Sequence, residues 1–121
     1  MNTRVMILDS EPVVRKVVAT ILERDGYDVK AVENLEDAKN VLVRFQPDLL
    51  VSNLYIRDTT GHDAAVALQA LRPTLRVLFV AGLPDDEQVK ELMSGEHCEF
   101  FPKPFTAREL TEKVHAVLAK D

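Results

Sequence analysis

"PDLLVSNLYIRDTTG", residues 47–61, decides the fold of this 121-residue chain. Pro47 stops the helical pattern before it, and "DLLVS" (48–52) then reads as a strand with an unbroken apolar centre. Asn53 stands where that strand ends, and a polar loop runs on to Gly61. An unbroken apolar strand is covered on both faces, and helices are the usual cover. The flanking segments should therefore alternate between a period of about 2 and a period of about 3.6 residues.

They do. "RVMIL" (4–8) is a short apolar run, after which Val13, Val14, Val17, Val18, Ile21 and Leu22 recur at helical spacing until Asp25-Gly26. "YDVKAV" (27–32) alternates like a half-buried strand. Asn34 with Asp37 resembles a capping box for a helix whose apolar face is Leu35, Ala38, Val41, Leu42 and Phe45. "HDAAVALQALR" (62–72) predicts a small-residue helix with Ala64, Ala65, Leu68 and Leu71 turned inward. "LRVLFV" (75–80) is the most apolar strand, and Pro84 opens a thinly apolar helix carrying Val89, Leu92 and Met93. "CEFF" (98–101) is the fifth strand, and Thr106 with Glu109 caps a last helix facing inward through Leu110, Val114, Val117 and Leu118.

Five strands alternating with five helices predict a doubly wound α/β fold, a five-stranded parallel sheet with helices on both faces. Ligands of such sheets sit beyond the carboxyl ends of the strands, where the strand order reverses. Here those ends are Asp9-Ser10-Glu11, Asn53, Ala81-Gly82 and Lys103-Pro104. The flavodoxin-like order 2-1-3-4-5 would bring all four to one crevice.

Composition narrows the function. The length suits a single domain over 1–121, with no linker or repeat. A net charge of −5 without a basic block disfavours nucleic-acid binding by this segment. No apolar run is long enough to cross a bilayer, and the N-terminal stretch is not a signal peptide. Cys98 is alone, which excludes an internal disulfide and suits a cytoplasmic setting.

At these strand ends the residues resemble a family. "VMILDSEP", "PDLLVSNLYIRDTTG", "VLFVAG" and "EFFPKPF" are similar, in order and spacing, to the four site motifs of the response regulator receiver domain of two-component signalling. The resemblance covers essentially the whole chain. It implies a site that accepts a phosphoryl group from a phosphohistidine onto an aspartate. Such a site uses paired acids to hold Mg²⁺, a lysine, and a Thr or Ser hydroxyl.

Carried over residue by residue, the resemblance implies a degenerate site. Asp9 matches the first acid, but Ser10 stands at the second, metal-binding acid. Asn53 stands at the phosphoacceptor and Ala81 at the hydroxyl, while Lys103 is retained with Pro104 behind it. Asp9 and Lys103 cancel in charge if Glu11 points elsewhere, so no cation is required for balance, and Mg²⁺ is expected to bind weakly or not at all. An amide nitrogen, its lone pair delocalised into the carbonyl, is no nucleophile. The expectation is therefore a pseudo-receiver, not an enzyme, that works by protein–protein contact. Its partners would be a histidine kinase, a fused or separate output domain, or itself, through the face built from 84–94, 98–101 and 106–119.

Phe100 matches the family's switch aromatic, and with Ala81 in place of a hydroxyl residue its ring is expected to sit inward. The alternative is a phosphoaspartate receiver whose native Asp was replaced at Asn53, or one that uses Asp9, Glu11 or Asp58 in a displaced site with Mg²⁺. Plainer roles compete at several positions. Ser10 suits a helix N-cap before Pro12, Glu11 a solvent-facing first turn, and Asp58 a turn. His62, His97 and His115 are too separated for a metal site, and Cys98 suits a small buried position. A nucleotide in the crevice is disfavoured because "DSEP" carries no glycine-rich loop.

Overall fold

A computed structural model describes residues 3–53, 55–56, 59–81, 98–102 and 106–119. The segment 82–97, including the expected helix 84–94 and His97, lies outside them, as do Asp58, Lys103 and Pro104. For Tyr55, Ala81 and residues 98–102 the backbone alone is described.

The strands are β1 (Arg4–Leu8), β2 (Asp28–Val32), β3 (Leu49–Asn53), β6 (Arg76–Ala81) and β7 (Cys98–Pro102). All their pairings are parallel, in the order β2-β1-β3-β6-β7. This is the predicted order, with the first strand of the sequence inside and the second at the edge. Between β3 and the next helix lies a two-stranded antiparallel ladder, β4 (Tyr55–Ile56) with β5 (Thr59–Thr60). That segment was expected to be loop throughout. Paired strands of two residues are too short to show any period, although Ile56, Thr59 and Thr60 are β-branched.

The helices are α1 (Pro12–Arg24), α2 (Leu35–Phe45), α3 (Gly61–Leu71) and α4 (Ala107–Leu118). Asn34 caps α2 through its side chain, which accepts the Asp37 N–H at 2.8 Å. Thr106 and Glu109 form a reciprocal capping box on α4. After α1 the chain turns at Gly26, whose φ of +96° favours glycine, and the Tyr27 N–H reaches back to Leu22. Gln46 ends α2 at φ +53°, a left-handed conformation for a residue with a side chain.

Strand alternation sorts the core into two layers. Met6, Leu8, Leu50, Val77 and Phe79 face one way, against Ala38 and Leu42 of α2 and Ala64, Ala65 and Leu68 of α3. Val5, Ile7, Leu49, Val51, Leu78 and Val80 face the other, against Val18 and Leu22 of α1 and Leu110, Val114 and Val117 of α4. Three helical positions depart from expectation. Val13 and Val17 on α1 and Leu71 on α3 are exposed, because each contact stripe is narrower than the apolar pattern that announces it.

Candidate functional site

A parallel sheet aligns its carboxyl ends, and that end is where the predicted residues gather. Leu8 pairs with Ser52 across β1 and β3, so Asp9 and Asn53 follow as neighbours at the strand ends. Asn53 pairs with Val80, which puts Ala81 one step beyond it on β6. Ala81 pairs with Pro102 on β7, the residue before Lys103. Phe100 sits on β7 in register with Phe79. Its ring and Lys103 lie outside the described residues, so the expected inward Phe100 and the expected Asp9–Lys103 pair find no measure here.

Asp9 is buried, at 5% exposure. Its N–H extends the ladder to the Val32 carbonyl at 3.1 Å, and its Oδ1 accepts the Glu11 N–H at 2.9 Å. Arg15, one turn into α1, donates from Nη1 to the Asp9 carbonyl at 2.8 Å. Burying a carboxylate without hydrogen bonds is costly, so the turn Asp9-Ser10-Glu11 is folded around this acid. Arg15 was not anticipated from sequence; the only hint was a cation six positions past Asp9.

Ser10 does not have the capping role expected of it. α1 begins at Pro12 with Glu11 at the N-cap position, and no side chain caps it there. The Ser10 hydroxyl instead donates to the Glu33 carbonyl at 3.1 Å, beyond the end of β2. Glu11 is exposed, as expected of a solvent-facing acid, but it precedes the first turn instead of lying in it. Asn53 is half-buried, and the buried Ser52 donates from Oγ to its carbonyl at 2.9 Å. Among the described residues, Asp9 and Ser52 are the only buried polar side chains, and no cluster of three or more His, Cys, Asp or Glu exists to hold a metal.

At the opposite end of the sheet the structure gathers groups that sequence left apart. His115 Nε2 lies 2.8 Å from Asp25 Oδ2, and the Tyr27 hydroxyl lies 3.3 Å from His115 Nδ1. Burial, reinforced by the charge of Asp25, raises the Tyr27 hydroxyl above its ordinary pKa. His115 remains exposed, and His62 is an exposed surface residue. No helix of the described residues is long and apolar enough to cross a membrane.

Comparison with known proteins bears on what such a crevice is for. The family model for the response regulator receiver domain matches residues 5–115. The chain is 29% identical to the phosphate regulon transcriptional regulatory protein PhoB of Pseudomonas aeruginosa, over 96% of its own length and 52% of the relative's. It is 26% identical to the alkaline phosphatase synthesis transcriptional regulatory protein PhoP of Bacillus subtilis, over 99% of its own length and 50% of the relative's. The chain thus spans about half the length of these curated relatives. In three dimensions it matches the signal receiver domain of the putative LuxO repressor protein from Vibrio parahaemolyticus with a TM-score of 0.87 at 20% identity, covering 98% of this chain and 91% of that one.

Proposed function

The chain belongs to the response regulator receiver domain family of two-component signalling, and on that premise we propose that it is a receiver that signals without a phosphoryl group on residue 53. The observation that carries this reading is the pairing at the strand ends. A buried Asp9 is retained beside an amide, Asn53, which has no nucleophilic oxygen or nitrogen to take up phosphorus.

The donor set at this end does not fit the divalent cation that an intact receiver site implies. Mg²⁺ asks for anionic oxygens in near-octahedral order. Asp9 already accepts the Glu11 amide, Ser10 offers a neutral hydroxyl turned to the Glu33 carbonyl, and Glu11 is exposed. Ala81 brings no hydroxyl, and Lys103 would supply the balancing positive charge without a metal. The proposed domain, taken as the single unit 1–121, is a signalling part and not a catalyst.

Its output is contact with another protein. A histidine kinase, an output domain in the same or another chain, or a second copy would read the face made by β7, α4 and the segment 84–94. The test is intact mass after incubation with Mg²⁺ and acetyl phosphate. An unchanged mass is expected. A stoichiometric adduct that hydroxylamine removes would overturn the reading and point to Asp9, Glu11 or Asp58 as a displaced acceptor.

A further inference from the structure

A second surface lies at the edge strand β2, away from the carboxyl-end crevice. β2 pairs on one side only, with β1. The Asp28 N–H donates to Thr3 and the Val32 carbonyl accepts from Asp9, so Asp28, Lys30 and Val32 turn their backbone groups toward β1. In a parallel ladder the intervening residues face the other way. Val29 and Ala31 therefore present two N–H and two C=O groups outward, and no partner for them exists among the described residues.

Beside this edge runs a groove of about 860 Å³ between β2 and α2. Its apolar wall is Val41, Val43 and Phe45, with Val43 67% exposed. Among the described residues its charged lining is basic, Lys30 from β2 and Arg44 from α2, while the adjoining hollow beside Ala31 carries Arg15, Glu33 and Asp37. Neither Lys30 nor Arg44 has an ion-pair or side-chain hydrogen-bond partner among the described residues. A lysine on a sheet edge can serve simply to repel other strands. A guard needs neither a second unpaired cation on the neighbouring helix nor an exposed valine between the two.

We propose that the β2 edge and the α2 groove bind an extended acidic segment of a partner protein as an added sixth strand. Its backbone would bond Val29 and Ala31. Alternate side chains would turn toward α2, apolar ones onto Val43 and Phe45 and carboxylates onto Lys30 and Arg44. Charge selects this occupant at the Lys30–Arg44 end, where two unpaired cations on a chain of net charge −5 complement carboxylates, whereas Glu33 and Asp37 at the Ala31 end call for uncharged side chains there. The surface is independent of residue 53, so it stands whether or not that position takes phosphate.

The probe is an amidated seven-residue peptide, Val-Thr-Glu-Thr-Val-Thr-Glu, one face of which presents valine and glutamate in turn, titrated into the ¹⁵N-labelled protein. The expected result is slowed amide exchange at Val29 and Ala31, with shift changes confined to β2 and α2. The same peptide N-methylated at alternate amides should not bind. Lys30→Glu with Arg44→Glu, both exposed, should leave the thermal melt unchanged and weaken binding about tenfold, the scale of two exposed charge pairs. The same peptide with lysine in place of glutamate should then prefer the double variant. Equal binding of the N-methylated peptide, or shifts centred elsewhere, would overturn the proposal. Concentration-dependent protection of Val29 and Ala31 without peptide would also overturn it, by naming a second copy as the occupant.

Discussion

At the scale of single residues, the proposed loss of phosphorylation turns on Ser10, Asn53 and Ala81, where the receiver resemblance implies a carboxylate, a carboxylate and a hydroxyl. Asn53→Asp restores the nucleophile but leaves Ser10 bonded to Glu33 and Ala81 without a hydroxyl. That variant is expected to take up acetyl phosphate slowly and below stoichiometry by intact mass. Adding Ser10→Asp and Ala81→Thr should complete the adduct and tighten Mg²⁺ by at least about tenfold, since each new carboxylate adds a direct Coulombic attraction. A triple variant that stays unmodified would show that the loss reaches beyond these positions. The residue types at this site were legible in sequence because the family spacing names them. What each atom bonds was not legible, since the partner of Ser10 is Glu33, 23 positions away and met only through strand pairing.

At the scale of elements, apolar period and capping chemistry located the described helices and the five strands of the sheet to within a residue or two. The same period overstated burial at Val13, Val17 and Leu71, because repetition reveals an apolar stripe and not how much of it a neighbour covers. The end of α2 was marked by Pro47, but the strained residue before it was not. Gln46 holds its left-handed backbone while its side-chain amide bonds the Val43 carbonyl at 3.0 Å and its Oε1 accepts Arg72 Nη1 at 2.7 Å. Two substitutions separate backbone strain from side-chain bonding. Gln46→Ala keeps the strain and loses the bonds, whereas Gln46→Gly loses the bonds and relieves the strain. The alanine variant should therefore be the less stable by about 1 kcal/mol in urea unfolding. The reverse order would mean that chain entropy outweighs strain at this turn.

At the scale of the whole molecule, two apolar layers pack on the two faces of one sheet, and groups distant in sequence meet around it. Tyr27 and Asp25 in the α1–β2 turn meet His115 of α4 across 88 and 90 positions of sequence. The Tyr27 hydroxyl is raised from 10.0 by burial first and by Asp25 second. A phenol raised in the folded state contributes stability that is fully present below pH 10.0 and is lost as pH climbs through the folded value, because the unfolded chain ionises first. The urea midpoint of the natural chain should therefore fall more steeply than that of Tyr27→Phe as the pH climbs above 10.0. Parallel curves would remove Tyr27 from the linkage. Near neutral pH the same variant should cost about 1 kcal/mol or less, the worth of one exposed hydrogen bond. Sequence supplied the alternation behind the sheet, but a contact spanning three elements emerges only once the sheet has closed.

One last feature concerns how α4 is fastened. Arg76, at the start of β6, donates to the carbonyls of Val117 and Leu118, and His115 is tied to Asp25 and Tyr27. Both attachments grip the final turn of the helix, at the end of the sheet farthest from Asp9 and Asn53. The opening turn, capped by Thr106 and Glu109, bonds only within itself at that cap. The two ends of α4 are thus fastened differently, the last turn by side-chain hydrogen bonds and the first by the burial of Leu110 in the core. Loss of those hydrogen bonds would therefore loosen the last turn first, while Leu110 and Val114 still hold α4 against the sheet.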